Sequence, residues 1–289
     1  MEISKELNLI VIGAGNVGMS IIEAFARQGF NVIGIDLTEE VINRGRGKAE
    51  KSIAKSEEKG KISSEERAAV LRRIQMTTDF EVVRDADVVI EAVFENMEVK
   101  KELFERLDNM VKSEEALLLT NTSSLSVSEI ASATKRPDKV AGMHFFNPVP
   151  VMKLVEVIRG VESSADTISK VAELSELMEK RPIICTDSPG FVVNRLLHIL
   201  AVEASKIVEE GVATARDVDT GAKLGLGHPM GPFEVFDFFD GVPLLKTVCD
   251  YLETELGSRF KIPVWVKNYL RAGRTGRSCG KGFHDYTQK

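Results

Sequence analysis

Two ionisable side chains, His144 and Glu156, stand inside apolar runs and have the residue types of an acid–base pair. His144 interrupts the run at 140–145, Glu156 interrupts the run at 154–158, and a turn bracketed by prolines at 148–150 joins the two runs. Burying a lone carboxylate is costly, so a glutamate in a buried strand needs a partner. The nearest candidate is His144. A carboxylate beside an imidazole fixes the ring tautomer and raises its basicity, as a general base near neutral pH requires.

The same two residues permit a purely structural interpretation. The histidine would then be satisfied by a backbone carbonyl, and the glutamate would lie at the edge of a sheet, since perturbed charges also occur in structural networks. The dyad needs fewer assumptions because it gives each residue its partner. We therefore predict a His-Glu dyad and keep the structural interpretation as its alternative.

A glycine-rich motif after the first apolar run has the form of a dinucleotide-binding turn. It consists of Gly13, Ala14, Gly15, Asn16, Val17 and Gly18. Gly13 would permit a tight exit from the strand, Gly15 would let backbone N–H groups approach a pyrophosphate, and Gly18 would let the helix pack on the sheet. Asp36 ends the next apolar run, where a carboxylate binds ribose hydroxyls and repels a 2′-phosphate. This order predicts NAD as cofactor; the alternative is a glycine-rich turn in a nonbinding α/β fold.

Uncharged polar residues follow at two places where a substrate could be held. Ser123 comes after the apolar run at 116–120, at the carboxyl edge of a predicted parallel strand, where ligands of open α/β sheets bind. Nearby, Ser124 or Ser126 has the simpler role of capping the next helix. Asn194 lies among apolar residues and needs partners. It either locks two domains together or orients a substrate.

Apolar runs separated by helical segments predict the fold that positions these residues. Strands are expected at 9–12, 31–35, 86–93, 116–120, 140–145 and 182–186. Residues 39–75 are rich in lysine and glutamate, which predicts one or two solvated helices in a projecting hairpin. Further helices are expected near 97–111 and 126–134. This alternation indicates an α/β fold with a Rossmann-type, doubly wound and mostly parallel sheet.

The pattern changes near residue 187, which predicts two domains. From there onward helices are expected to reach Gly211, to begin near Thr214 and after Gly241, and to span 263–272. We predict an NAD-binding domain at 1–187 and an all-helical substrate and dimerisation domain at 188–289.

Four phenylalanines in the helical domain bear on assembly. They are Phe233, Phe236, Phe238 and Phe239. Apolar faces formed by these side chains predict a homodimer interface. The alternative is that they fill the core of their own domain.

Composition excludes several classes of function. A net charge of −6 argues against a nucleic-acid partner. No apolar run approaches the ~20 residues that span a membrane, and the chain enters its first strand too soon for a signal peptide, so a cytoplasmic protein is expected. Three widely spaced cysteines fit a reducing compartment and make no metal pair, so no metal site is predicted.

Taken together, these residues closely resemble the short-chain L-3-hydroxyacyl-CoA dehydrogenases, including the bacterial 3-hydroxybutyryl-CoA dehydrogenases. The resemblance covers nearly the whole chain and rests on GAGNVG, NTSSL, GMHFFNP through KLVEVI, PGFVVNR, HPMGP and AGRTGRSCGKGF. It implies an NAD-dependent oxidoreductase that interconverts (3S)-3-hydroxyacyl-CoA, chiefly 3-hydroxybutyryl-CoA, and 3-ketoacyl-CoA.

The family's catalytic roles carry over to matching positions. By resemblance, His144 takes the C3-hydroxyl proton while hydride leaves C3 for the nicotinamide, and Glu156 orients His144. Ser123 and Asn194 would position the substrate oxygen and the acyl group.

The family's binding roles carry over in the same way. Asn147 would lie near the nicotinamide, and Glu95 and Lys100 would line the cofactor site. Ser52 and Lys59 match the positions that contact coenzyme A in the family, which gives the charged helical hairpin a ligand.

The chain departs from the family pattern at a few positions. Residues 16–17 are Asn-Val where Thr-Met is more frequent, and the tail has Cys279 and His284 where serine and tyrosine are usual. None of these positions has a proposed catalytic role. His228, between prolines and glycines, is interpreted as a turn residue, and His198, on an apolar helix face, as a packing residue.

Two competing functions use the same residues differently. One alternative hypothesis keeps the fold and the dyad but gives the enzyme a sugar acid as substrate, as in the L-gulonate dehydrogenases and lens crystallins. A hypothesis from another class is a nucleotide-binding structural or sensor protein without turnover. The lysines near residue 55 favour acyl-CoA over a sugar acid, and the complete set of catalytic residue types argues against the protein without turnover.

Overall fold

Short, largely apolar runs form one eight-stranded sheet in the first two thirds of the chain. The strands are β1 (Leu9–Ile12), β2 (Val32–Ile35), β3 (Ile74–Thr77), β4 (Val88–Glu91), β5 (Leu117–Thr120), β6 (Val140–Phe145), β7 (Leu154–Arg159) and β8 (Arg181–Thr186). Their order is β3-β2-β1-β4-β5-β6-β7-β8. All neighbours are parallel except β6 and β7, which are antiparallel. The predicted doubly wound, mostly parallel sheet is confirmed.

The computed structural model describes residues 1–287. It divides the chain into a first unit, Met1–Ser188, and a second unit that begins at Pro189. Within the described residues, no helix is long and apolar enough to cross a membrane.

Helices of the first unit connect its strands. They are α1 (Asn16–Arg27), α2 (Glu39–Glu58), α3 (Ser64–Arg73), α4 (Met97–Met110), α5 (Val127–Ala131) and α6 (Ala165–Leu177). The five helices α2 to α6 each begin at a residue whose side chain accepts a hydrogen bond from a first-turn N–H, as N-capping requires. These caps are Thr38, Ser63, Asn96, Ser126 and Ser164. Ser126 thus has the capping role that the sequence allowed.

The charge-rich segment forms the predicted pair of helices, α2 and α3, but α2 is not solvated on every face. Ile42, Gly45, Ala49 and Ile53 are buried at helical spacing, and Ala49 and Ile53 belong to the hydrophobic core of the first unit. A Cβ at Gly45 would lie 2.7 Å from the Ala14 carbonyl oxygen. The glycine therefore lets α2 approach the glycine-rich turn closely.

The second unit is helical. It contains α7 (Val193–Glu209), α8 (Ala215–Gly225), α9 (Pro232–Phe238), α10 (Val242–Leu256) and α11 (Val264–Arg271). As predicted, Thr214 caps one helix, because its side chain accepts from the Asp217 N–H at 3.2 Å. As predicted, α10 begins after Gly241, and Pro243 lies in its first turn.

The four phenylalanines divide between the two roles that the sequence left open. Phe233 and Phe236 are buried and belong to the core of the second unit. Phe238 and Phe239 are 51% and 59% exposed and meet edge to face at 5.0 Å between ring centroids. Only the second pair remains a candidate for an interface.

Two buried aspartates hold the C-terminal segment of the second unit. Asp237 accepts hydrogen bonds from the N–H groups of Phe283 and His284, at 2.7 and 2.8 Å. The His284 ring is 2.6 Å from the Asp219 carboxylate, and this hydrogen bond raises the pKa of His284. His284, which stands where the family usually has tyrosine, is therefore a hydrogen-bond partner of the buried Asp219 carboxylate.

Candidate active site

The His144–Glu156 pair forms between two neighbouring strands. β6 and β7 place these residues directly opposite each other, and His144 Nδ1 lies 2.7 Å from a Glu156 carboxylate oxygen. The histidine is 6% exposed and the glutamate is fully buried. Because Glu156 lies in an interior strand, the alternative that placed it at the sheet edge is wrong. A charge this deeply buried is tolerated when a partner compensates it.

A buried lysine holds the turn that brings the two strands together. Lys180 donates hydrogen bonds to the carbonyls of Val149 and Met152, the second at 2.7 Å. Burial lowers the pKa of Lys180. These contacts satisfy carbonyls in the turn between β6 and β7, so they help to fix the register on which the His-Glu contact depends.

The carboxyl end of β6 is tied to the loop that follows β5. The Asn121 side-chain oxygen accepts from the Phe145 N–H at 2.9 Å, next to His144 in the sequence. Ser123 is two residues beyond Asn121. The parallel strands β5 and β6 therefore present Ser123 and His144 at the same edge of the sheet, where ligands of such folds bind.

Glu95 holds the backbone of the Ser123 loop. Its carboxylate accepts from Thr122 Oγ1 at 2.6 Å, from the Ser123 N–H at 2.9 Å and from the Ser124 N–H at 3.1 Å. Burial raises the pKa of Glu95, but the Lys100 ammonium and these hydrogen bonds outweigh that effect, and the pKa is lowered. The carboxylate is thus kept in the charged form that accepts all three donors.

Three residues predicted to meet the cofactor are found in different settings. Lys100 is 1% exposed and lies 3.3 Å from Glu95, whereas Asn147 is exposed after the end of β6. The structure gives Lys100 and Glu95 protein partners. Their contacts with a cofactor stay predictions, as does that of Asn147.

Steric constraints explain two of the three motif glycines. Gly13 has φ +103°, and a Cβ there would lie 2.5 Å from the Ala92 carbonyl oxygen. A Cβ at Gly18 would lie 1.8 Å from the Gly13 carbonyl oxygen. A Cβ at Gly15, in contrast, would meet no protein atom within 4 Å. Packing within the chain gives no reason for Gly15, whereas close approach of a phosphate does.

The amino end of α1 fits a dinucleotide. α1 begins at Asn16 after Gly15 and is the one α-helix of the first unit, fully described from residue 1 to 188, without a side-chain N-cap. Its first N–H groups, together with the helix dipole, suit a pyrophosphate. Asp36 accepts from the Ala14 N–H at 2.6 Å. A carboxylate oxygen accepts more than one hydrogen bond, so this contact leaves capacity for ribose hydroxyls.

The two residues predicted to contact coenzyme A lie on the charged helical pair. Ser52 and Lys59 are both exposed, two helical turns apart, with Lys59 at the carboxyl end of α2. The Ser52 hydroxyl donates to Glu23 at 2.8 Å. Their contact with coenzyme A stays a prediction.

In the second unit, Asn194 lies in the first turn of α7 and is half-buried. Its carbonyl lies 2.7 Å from Nδ1 of His198. Burial lowers the pKa of His198, whose ring packs edge to face on Phe236. The packing interpretation of His198 is confirmed. The role of Asn194 stays a prediction.

Family models match nearly the whole chain. Residues 8–188 match the model of the 3-hydroxyacyl-CoA dehydrogenase NAD binding domain, and residues 190–286 match that of the 3-hydroxyacyl-CoA dehydrogenase C-terminal domain.

Individual relatives match over nearly their full length. The sequence is 42% identical to a 3-hydroxybutyryl-CoA dehydrogenase of Clostridioides difficile over 98% of this chain and 100% of that protein. It is 40% identical to the mitochondrial hydroxyacyl-coenzyme A dehydrogenase of Homo sapiens over 96% of this chain and 91% of that protein. The solved structure of (S)-3-hydroxybutyryl-CoA dehydrogenase PaaH1 from Ralstonia eutropha superimposes with a TM-score of 0.92 at 35% identity, covering 98% of this chain and 100% of that one.

Proposed function

Because the chain belongs to the 3-hydroxyacyl-CoA dehydrogenase family, we propose that it interconverts (3S)-3-hydroxybutyryl-CoA and acetoacetyl-CoA with NAD. The observation that carries this proposal is the buried His144–Glu156 pair, 2.7 Å apart, at the ligand-binding edge of the sheet. Two relatives at 41–42% identity are named as 3-hydroxybutyryl-CoA dehydrogenases, one of them as probable, and these names support a short-chain acyl-CoA as substrate.

The cofactor is held by residues of the first unit. NAD, when bound, supplies the acceptor or donor of the hydride. The uncapped amino end of α1 after Gly15 binds its pyrophosphate, and Asp36 accepts hydrogen bonds from its adenosine ribose. Glu95, Lys100 and Asn147 contribute to the nicotinamide end of the site.

His144 moves the substrate proton. Because Glu156 engages Nδ1, that nitrogen carries the proton, and proton exchange with the substrate falls to Nε2. In the oxidative direction Nε2 accepts the proton of the C3 hydroxyl. In the reductive direction the imidazolium returns it to the ketone oxygen. Glu156 fixes the tautomer and stabilises the ring while it carries the substrate proton.

Ser123 and Asn194 orient the substrate. Ser123 donates its hydroxyl to the substrate's C3 oxygen, and Asn194 donates its amide to the acyl thioester. Each contact fixes the reacting groups in place when the substrate binds. Less entropy then has to be lost in the proton-transfer step itself.

One spectrophotometric assay tests the proposed reaction. NADH absorbance is followed with acetoacetyl-CoA, and NADH formation is followed separately with NAD and L-gulonate. Oxidation of NADH by acetoacetyl-CoA is the expected result. Turnover with L-gulonate but not with acetoacetyl-CoA would identify a sugar acid as the substrate. NADH binding with no turnover on either compound would indicate a nucleotide-binding structural or sensor protein.

Asp36 is expected to enforce preference for NADH over NADPH. In the proposed binding mode its carboxylate would lie where NADP carries a phosphate, so like charges would repel. The measurement is kcat/KM for NADH and for NADPH, in the wild type and in Asp36→Ala. The ratio of kcat/KM for NADH to kcat/KM for NADPH should be smaller in Asp36→Ala than in the wild type. A wild-type enzyme that favours NADPH would contradict the role given to Asp36.

Lys59 is expected to bind a phosphate of coenzyme A through an exposed charge contact. Lys59→Ala should raise KM for acetoacetyl-CoA by about two- to fivefold at low salt, the size of an exposed ion pair. Salt screens such contacts, so the effect should shrink at high ionic strength. Lys112→Ala removes a charge from an exposed pair with Asp85, before β5, and serves as the control. An unchanged KM in Lys59→Ala would show that this charged surface contacts solvent and not coenzyme A.

Two further parts of the proposal concern assembly and location. The exposed aromatic pair Phe238 and Phe239 supports a homodimer, because adjacent exposed aromatics mark interaction surfaces. The free cysteines Cys185, Cys249 and Cys279 are compatible with a reducing cytoplasm.

A further inference from the structure

A fully buried glutamate at the end of β4 has no part in the function proposed above. Glu91 accepts a hydrogen bond from Lys100 Nζ at 2.6 Å and from the Val93 N–H at 2.7 Å on one carboxylate oxygen. Its other oxygen accepts from Thr120 Oγ1 at 2.7 Å. The carboxylate thus joins helix α4 to the last residue of β5, which leads into the loop that carries Ser123.

Two more residues close these contacts into a ring. Thr120 Oγ1 accepts from the Thr122 N–H at 3.1 Å, and Thr122 Oγ1 donates to Glu95 at 2.6 Å. Glu95 in turn lies 3.3 Å from Lys100 Nζ. The ring therefore runs through Glu91, Thr120, Thr122, Glu95 and Lys100, and each member contacts two others.

Burial and charge make Glu91 the member on which the ring depends. Lys100 is 1% exposed, so its ammonium needs a counter-charge within the protein. Glu91 is fully buried and 2.6 Å away, whereas the Glu95 side chain is 36% exposed and 3.3 Å away. The shorter contact in the drier setting is the stronger one. Without Glu91, Lys100 would move toward Glu95 and change the contacts that Glu95 makes.

We propose that Glu91 is a positioning residue for the loop at 122–124. It fixes Lys100 and Thr120, and through them Glu95, which accepts the N–H groups of Ser123 and Ser124. The inference rests on the proposed function for one point, that Ser123 contacts the substrate. Glu91 itself touches neither substrate nor cofactor in this account.

Hydrogen exchange tests the proposal without relying on activity. The variants are Glu91→Gln, which keeps the shape and removes the charge, and Thr120→Val, which keeps every charge and removes both contacts that Thr120 makes in the ring. In both, the amides of the peptide spanning 121–126 should exchange at least about tenfold faster than in the wild type. Glu81→Gln, at an exposed glutamate paired with Arg84, is the matched control and should not change the exchange. Unchanged exchange in Glu91→Gln would overturn the proposal. If Glu91→Gln does not fold, Thr120→Val decides through the amides of Ser123 and Ser124 alone, because their acceptor is Glu95 and not Thr120.

Kinetics separate positioning from a purely structural role. In folded Glu91→Gln, kcat with acetoacetyl-CoA should fall about ten- to a hundredfold, the size expected when a substrate-positioning group is displaced, with little change in KM. The double variant Glu91→Gln/Lys100→Met removes both buried charges. It should recover thermal stability but keep the fast exchange. Recovery of wild-type exchange in the double variant would show that Glu91 only neutralises Lys100. An inactive wild type would contradict the proposed function, while the exchange result would still test the positioning role.

Discussion

His144→Gln is expected to lower kcat by about 10²- to 10⁴-fold, the range typical of losing a general acid–base group. Glutamine is the appropriate replacement because its amide can still donate a hydrogen bond to Glu156, whose buried carboxylate would otherwise lose its partner. The amide cannot accept the substrate proton. The measurement is steady-state NADH oxidation with acetoacetyl-CoA, combined with an NADH dissociation constant from fluorescence.

The control for this variant is the same change at another histidine. His228→Gln alters a half-buried residue between α8 and α9 and should leave kcat near the wild-type value. NADH affinity should be nearly unchanged in both variants, because neither residue is assigned to the cofactor. Wild-type turnover in His144→Gln would remove the proposed mechanism.

Glu156→Gln is expected to lower kcat, within the roughly 10²- to 10⁴-fold that loss of the whole acid–base group costs. The amide oxygen can still accept from Nδ1, so the loss reports the charge more than the geometry. Glutamine lacks the negative charge that stabilises the ring while it carries the substrate proton. The measurement is steady-state kcat with acetoacetyl-CoA, and an unchanged kcat would give Glu156 a structural role only.

The dyad was predictable because the sequence leaves few explanations for a charge in a buried strand. Glu156 stands in an apolar run, and the antiparallel pairing of β6 and β7 then brings it opposite His144. The main strands and the doubly wound, mostly parallel sheet follow from the same apolar runs, whereas the order of the strands comes from the structure. The glycine motif predicted the first β-α-β segment, and the structure adds the steric reasons at Gly13 and Gly18.

Elements without a continuous apolar run were missed. β3 has one buried residue, Ile74, and its other three residues are partly or fully exposed, so no apolar run marks it as a strand. The predicted charged helices at 39–75 include only its first two residues, and the other two have no predicted element. The helices α6 and α9, the second of only seven residues, were also not predicted. The sequence did not show which of the phenylalanines at 233, 236, 238 and 239 would be buried. Their burial depends on which face of α9 packs against the core, and α9 was not predicted.

A second buried carboxylate, Glu91, also needs a partner that the sequence did not identify. It follows three apolar residues in β4, just as Glu156 lies among apolar residues in β7, and the same energetic reasoning would have required a partner. The partner, Lys100, is nine residues away on α4. Pairing of strands cannot predict such a contact, because it depends on how the helix packs against the sheet edge.

The central claim is that His144 and Glu156 act as one base, and the kcat of His144→Gln/Glu156→Gln tests it most directly. Residues that work as a unit are strongly non-additive, because the second change removes support from a group that is already gone. The double variant is therefore expected to have a kcat within about twofold of His144→Gln alone. A kcat lowered by the product of the two single losses would contradict the account and show that the two residues act separately.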